Sequence, residues 1–446
     1  MVEIYHFIGI GGIGMSALAR ILHGQGMQVQ GSDLQDSALL RSLAEEGISV
    51  YIGHDGNRIF PGMKVVYSSD IKPDNVEMLR SCQLGLERLH RSDLLDRCLR
   101  VKKPLLVTGT HGKTTTTSLL AHFLQETGLN PSFVIGGLCL NFQTNGHVGK
   151  GEYFVAEADE SDGSFLKTAP FGAIVTNLEN DHLSYWKTPE ALDRAFGQFF
   201  SQVKEEKHFF WCADDPRLRA LQCTFGQSYG FSEEASWKIS NLKQTEKGTS
   251  FDLCHENKTY LLQAPLFGKH NALNAAAAFA LALSLAANET KLSAALLSFC
   301  GVKRRLEWKK EVKTVDLFDD YGHHPTEIQA TILALRQKIG TKRLVVIFQP
   351  HRYTRVQELL EEFSHSFEQA DQIVLTDIYG AGETPVEGLF SLLHQNMEAR
   401  LKERLHYIPK EMLVETAATL LRPHDTLLTL GAGDITHMGE RILECF

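Results

Sequence analysis

Residues 107–117 read VTGTHGKTTTT: an apolar run breaks into a turn bearing two glycines, then a lysine and four consecutive threonines, and continues into SLLAHFLQ. A strand that opens through glycine into a helix belongs to a β-α-β unit, so a parallel partner strand and a crossover are obligatory. Backbone N–H groups of such a turn converge on an anion, and the positive end of the helix strengthens the field there. Helix–sheet packing by itself asks for the glycines. It does not ask for Lys113 or for a run of threonine, a modest helix former. A nucleotide-phosphate cradle accounts for both, with Lys113 reaching the β and γ phosphates and Thr114 holding Mg²⁺. The loop is a variant of G-x-x-x-x-G-K-[ST], because Val107 stands five before Gly112 and Gly109 comes two residues late. Gly109, Thr110, His111, Gly112, Lys113, Thr114 and Thr115 are the residues expected to hold ATP.

A chain of 446 residues exceeds one ordinary domain, and about 150 residues per domain suggests three. Hydrophobic content of 43% with 22% charged residues is that of a globular protein with ample core. A net charge of -9, a pI near 6.1 and no long basic run argue against nucleic acid as a partner. The eight cysteines, Cys82, Cys98, Cys139, Cys212, Cys223, Cys254, Cys300 and Cys445, contain no C-x-x-C pair and read as reduced thiols. The start, MVEIYHFIGIGGIG, lacks the basic head and cleavage site of a signal peptide. The longest apolar stretch, Ala275 to Ala287, falls short of the roughly 20 residues a bilayer needs. A cytoplasmic enzyme is expected, with no membrane insertion and at most a weak homodimer.

The first hundred residues alternate between strand-like and helix-like patterns: EIYHFIGI, MSALARILHG, MQVQGSD, SALLRSLAEEG, ISVYIG, KVVYSSD. After the basic joint RVKKP, the runs PLLVTGT, YFVAEAD, FGAIVTNLE and KHFFWCA read as buried parallel strands, with TPEALDRAFGQFFSQV a helix among them. From Ser236 to Phe267 short alternating runs predict antiparallel hairpins at that domain's edge, and GKHNALNA and KLSAALLSF predict helices closing it. A third block follows with TEIQATILALRQKIG, RLVVIFQP, TRVQELLEEFSHSFEQA, DQIVLTDIYG and DTLLTLGAG. The architecture predicted is α/β, three consecutive domains spanning 1–100, 101–303 and 304–446. The outer two are Rossmann-like, and the central one is a P-loop ATPase-like domain with added antiparallel strands.

Gly9, Gly11 and Gly14 form G-x-G-x-x-G between a strand and a helix, with Gly12 inside the turn and Asp33 closing the next strand. This fingerprint reads a diphosphate and a ribose hydroxyl, which NAD and UDP share, and it does not choose between them. Ser68, Ser69 and Asp70 end another strand of that sheet and could add donors at the same rim. Glu157 ends the strand YFVA beside the phosphate loop, where a carboxylate suits Mg²⁺. His182, in NLENDH, has the same strand-end placement. Asn271 and Asn274 share one helix face, fit either to cap the helix or to orient phosphates. Arg304 and Arg305 follow a Gly-Val turn at the second joint. In DDYGHHPTE, Asp319 to Glu327, a strand ends in a density of polar groups that packing does not explain. Arg352 and Arg355 in FQPHRYTR are spaced to grip one carboxylate.

Taken in order, GIGGIGMS, GTHGKTTTT, EADESD, HNALNA, GVKRRLE, DDYGHHPTE and FQPHRYTR resemble the motifs of the Mur ligases of bacterial peptidoglycan synthesis, over nearly the whole chain. The resemblance, closest to the alanine-adding branch, implies ligation of L-alanine to the lactyl carboxylate of UDP-N-acetylmuramate, with ATP cleaved to ADP and phosphate and Mg²⁺ required. It implies that Gly9, Gly11, Gly12, Gly14, Asp33, Ser68 and Ser69 hold UDP. It gives Lys113, Glu157 and His182 the catalytic roles, Thr114, Glu157 and His182 the metal, and Asn271, Asn274, Arg305 and Asp320 further contacts to ATP. Tyr321, His323, Arg352 and Arg355 match the positions that receive alanine, and closure at a hinge near Lys303 would bring the substrates together. Murein tripeptide recycling is the neighbouring alternative within the resemblance. An NAD-dependent oxidoreductase would leave Lys113 and its threonines without a purpose, and a non-catalytic nucleotide switch would turn ATP over slowly and without response to sugar nucleotide.

Overall fold

Runs of Val, Ile, Leu and Phe too apolar to face water on either side become the inner strands of three sheets, each covered by helices. The computed structural model describes residues 3–221, 225–245 and 247–446, so Cys223 lies outside the described residues. The other seven cysteines are free.

The first sheet comprises β1 (Ile4–Ile8), β2 (Gln28–Asp33), β3 (Ser49–Ile52), β4 (Met63–Tyr67) and β5 (Glu87–His90), in the order β3-β2-β1-β4-β5. All its pairings are parallel. The order reverses beside β1, which puts the glycine loop at the switch point where ligands of open α/β sheets bind. The predicted strand EIYHFIGI stops at Ile8, because Gly9 turns the chain at φ +79°.

The second sheet runs β15-β14-β13-β12-β11-β10-β6-β9-β7-β8. Its strands are β6 (Lys103–Thr108), β7 (Ser132–Cys139), β8 (Thr144–His147), β9 (Tyr153–Glu157), β10 (Gly172–Val175), β11 (Phe209–Cys212), β12 (Gln227–Gly230), β13 (Trp237–Thr245), β14 (Gly248–His255) and β15 (Lys258–Ala264). β6 lies between β9 and β10 and is parallel to both. The expected hairpins are β13 to β15 at one edge, and the two-residue link from β14 to β15 is one that only antiparallel strands permit. The antiparallel pair β7/β8 at the other edge was not legible in the sequence, since GGLC and TNGH carry no strand signal.

The third sheet is β16 (Glu307–Val312), β17 (Val315–Asp320), β18 (Leu344–Phe348), β19 (Gln372–Leu375), β20 (Leu405–Tyr407) and β21 (Thr426–Leu430), in the order β16-β17-β21-β18-β19-β20. β16 is antiparallel to β17 and the remaining pairings are parallel. The segment TRVQELLEEFSHSFEQA, helical in pattern, is two helices, Tyr353–Glu358 and Leu360–His365, broken at Leu359 where φ is -122° and ψ 29°. Phe363 on the second piece and Phe367 just beyond its end pack on Phe348 of β18.

The described residues group into two compact units. Leu242–Ser250, Ala264–Ala272 and Gly301–Phe446 form one, and the first two sheets with their helices form most of the other. Among the described residues no helix is long and apolar enough to cross a membrane.

Candidate active site

The phosphate loop leaves β6 at Thr108 and enters the helix Lys113–Glu126. Two glycines make the turn. Gly109 at φ +125° has no room for a side chain, since a Cβ there would lie 2.3 Å from Thr176 Oγ1. Gly112 at φ +82° faces Asn274, whose Oδ1 would be 2.7 Å from such an atom. That contact is the structural reason Asn274, far along the sequence, belongs to this loop. Asn271 is placed differently: its Nδ2 donates to Phe267 O at 2.8 Å.

The loop is sewn to the segment after β10. His111 N donates to Asn177 Oδ1 at 2.8 Å, Glu179 N to Thr110 Oγ1 at 2.9 Å, and Thr176 Oγ1 to His111 O at 2.6 Å. Thr176, Asn177 and Glu179 escaped the sequence reading, although the polar string after FGAIV was a signal of the same kind as the one after YFVA.

Lys113 Nζ donates to Gly109 O at 2.6 Å and to both oxygens of Glu160, at 2.9 and 2.8 Å. Glu160 is buried, and its carbonyl accepts from Trp186 Nε1 at 2.9 Å. Burial works against the Lys113 charge, but the carboxylates of Glu160, Asp159 and Glu157 outweigh it and hold its pKa above the ordinary lysine value. Asp159 is only half-buried; desolvation works to raise its carboxyl, but Lys113, Ser161 and Arg91 outweigh it and draw it down to about 2. Glu157 takes Gly136 N–H at 2.5 Å and the Thr114 hydroxyl at 3.2 Å. His182 sits in the left-handed region, φ +57°, with Nε2 3.8 Å from Glu160 and 3.5 Å from Asp181. A non-glycine residue held there is strained, as residues at functional sites often are. Thus Lys113, Thr114, Glu157 and His182 lie about one acidic cluster, with Glu160 as a member the sequence reading passed over.

At the first sheet, Asp33 Oδ2 accepts Gly11 N–H at 2.9 Å, so the acid at the end of β2 fixes the glycine loop itself. Gly14 is bordered by Arg91 and Gly9 by Ile71. Arg91 also reaches Asp159 at 3.2 Å, joining this rim to the acidic loop of the second sheet. Ser69 Oγ shares a hydrogen bond with His90 Nε2 at 3.1 Å, and Ser68 O accepts Ile71 N–H at 3.1 Å.

In the second unit the strand-end loops of β17 and β18 flank the end of β21. Asp320 accepts Leu306 N–H at 2.6 Å and Gly322 N–H at 2.7 Å, and burial raises its carboxyl to about 6. Arg304 donates to the carbonyls of Gly431 and Gly433, both Arg304 and Arg305 lie over the Tyr321 ring, and Arg305 is 3.8 Å from Glu327. Tyr321, His323 and His351 form an edge-to-face series, and His351 stacks on Tyr379. Burial, with His323, Arg355, Arg352 and Arg304 around it, pushes His351 down to about 3. Arg355 is buried, while Arg352, at φ +68°, is the more exposed of the two and lies 3.4 Å from Glu383.

Three domain families match the chain in series: Mur ligase family, catalytic domain, over residues 4–103; Mur ligase middle domain over 107–282; and Mur ligase, glutamate ligase domain, over 304–433. The chain belongs to the Mur ligase family. A relative from Protochlamydia amoebophila, UDP-N-acetylmuramate--L-alanine ligase, is 46% identical and covers 98% of this chain and 97% of its own. The crystal structure of UDP-N-acetylmuramate-alanine ligase from Thermotoga maritima superposes with a TM-score of 0.84 at 27% identity, covering 100% and 99% of the two chains. A murein peptide ligase from Psychrobacter arcticus matches with a TM-score of 0.77 at 24% identity over 99% and 98%, a likeness of fold alone. As a Mur ligase the chain is an ATP-dependent ligase, and the NAD reading of the first glycine loop falls away.

Proposed function

We propose that this chain joins L-alanine to the lactyl carboxylate of UDP-N-acetylmuramate through an acyl phosphate, releasing ADP and phosphate, in the cytoplasm. The observation that carries this is the full-length likeness, 46% identical, to a relative that bears that activity in its name. Tripeptide recycling has a likeness of fold at 24% identity on its side.

A carboxylate is a poor electrophile, and ATP supplies the remedy. One carboxylate oxygen attacks the γ phosphorus while the bond to the ADP oxygen breaks. All the reacting groups are anionic, so cationic charge must meet the transferring phosphoryl group. Lys113 supplies it by exchanging Glu160 for phosphate oxygens. The Thr114 hydroxyl already donates to Glu157, a hard-oxygen pair that a divalent cation can take over, with His182 beside the same acidic cluster. Mg²⁺ held by Thr114, Glu157 and His182 would add further neutralising charge. Arg352 and Arg355 hold the carboxylate of alanine, with Tyr321 and His323 beside it, so that the neutral amine attacks the acyl carbon. The amine loses its proton and phosphate departs, carrying one oxygen of the original carboxylate. Gly9, Gly11, Gly12 and Gly14 hold the UDP diphosphate.

Phosphate release measured with each of the three substrates omitted in turn tests the reading, together with ¹⁸O in the lactyl carboxylate. We expect release only with all three present and label in the phosphate. Unlabelled phosphate, or preference for a tripeptide over L-alanine, would overturn it.

A further inference from the structure

The helix Ile13–Gly24, which opens directly from the first glycine loop, lies against the hairpin β7/β8 at the edge of the second sheet. The approach is too close for side chains: a Cβ at Gly146 would sit 2.5 Å from Ala17 O. Beside it Asn145, fully buried, donates through Nδ2 to Ile13 O at 2.6 Å and Ser16 Oγ at 3.0 Å. Its Oδ1 accepts from Arg20 at 2.6 Å. The rest of the Arg20 guanidinium is filled by Glu46, at 2.6 to 2.9 Å, and Ser42, at 2.9 Å. The hairpin reaches the phosphate loop in turn, because Gly136 of β7 donates to Glu157, which accepts from Thr114. One continuous strut therefore runs from glycine loop to helix, Asn145, hairpin, Glu157 and phosphate loop.

We propose that Asn145 and Arg20 are positioning residues that set the spacing between the loop holding the UDP-sugar and the loop holding ATP, and so aim the carboxylate at the γ phosphorus. This rests on the ligase reading above. The physical ground is that a buried, fully partnered amide and guanidinium allow one arrangement of the two elements, since any slip leaves buried polar groups unpaired. In-line phosphoryl transfer loses rate steeply with misplacement, whereas each loop binds its own ligand without reference to the other.

The test is Asn145→Ala, with Gly146→Ala as a second variant that displaces the helix by bulk. Wild type turning over L-alanine establishes the parent reaction, so failure there would condemn the ligase reading and not this one. In either variant we expect kcat per folded enzyme to fall about 10- to 100-fold. The calorimetric Kd for UDP-N-acetylmuramate and the KM for ATP should stay within about twofold of wild type, as expected for a defect in alignment alone. Ser42→Ala, which removes only an outer contact of Arg20, should keep wild-type kcat. A rescue separates positioning from mere folding. A Cβ at Gly24 would lie 3.4 Å from Val148 Cβ, close to the span of a disulfide. In Asn145→Ala carrying Gly24→Cys and Val148→Cys, oxidised glutathione should accept the two electrons as the bond forms. The kcat should then recover, and be lost again in dithiothreitol. Unchanged kcat in both variants, a loss confined to substrate affinity, or a cross-link that forms without recovery would each overturn the proposal.

Discussion

Lys113 and Glu160 form a pair whose contributions to stability and to the proposed chemistry can be separated by substitution. The lysine side chain is 17% exposed and the glutamate 3%, so each charge depends on the other. Lys113→Met leaves a buried carboxylate without its partner, a loss of about 3 kcal/mol, limited because Glu160 takes up a proton once the lysine is gone. Adding Glu160→Gln should restore most of the thermal stability while phosphate release stays abolished and UDP-N-acetylmuramate still binds. Calorimetry and a phosphate assay on the single and double variants separate the two roles. Lys113 was legible because its neighbours in sequence are its neighbours in the loop. Glu160 was not: inside EADESD nothing distinguishes the one acid that is fully buried from those that are only partly so.

The elements around the phosphate loop explain the threonine run. Thr114, Thr115, Thr116 and Thr117 are all buried, so the opening of this helix is a core position, and a branched side chain fills it. Thr117 and Ser118 return their hydroxyls to the carbonyls of Lys113 and Thr114, each at 2.8 Å. Thr116 Oγ1 has no hydrogen-bond partner among the described residues. Thr116→Val keeps the shape and removes the unmet hydroxyl, so stability should rise by about 1 kcal/mol, seen as a Tm increase of about 2 °C with kcat unchanged. Gly109→Ala acts in the opposite sense. It forces a side chain against Thr176 and Asn177 at positive φ, which should cost about 2–4 kcal/mol and end ATP-dependent phosphate release, both measurable on the purified variant.

At the scale of the whole molecule, the second unit carries a pH dependence of stability. Burial lowers His270 to about 4 and His351 to about 3, from an ordinary 6.5. A base whose folded pKa is lowered binds its proton more readily when unfolded, so its contribution is present above pH 6.5 and is lost as pH falls toward the folded value. Asp320, raised to about 6 from 3.8, runs the other way and loses stability as pH rises through that window. Asp425, also raised by burial, acts in the same sense as Asp320, but the two large histidine shifts outweigh both and leave a net fall in stability between pH 6.5 and 4. Calorimetric Tm values should decline across that range in wild type, and more shallowly in His351→Gln.

The sequence determined the strand-loop-helix units, because an apolar run, a glycine turn and a hydroxyl-rich helix start are local patterns whose conformations follow from sterics and hydrogen bonding within a dozen residues. It also marked the strand ends that carry Asp33, Glu157, His182, Asp320 and Arg352, since polar density at such ends has no packing explanation. Tertiary structure alone decided what meets what. Asn274 stands at Gly112, Gly136 at Glu157, and Asn145 at Arg20, pairs separated by 162, 21 and 125 residues. Such contacts arise when buried polar groups, withdrawn from water, find partners wherever the sheets bring the chain together, and no local pattern records which partner that will be.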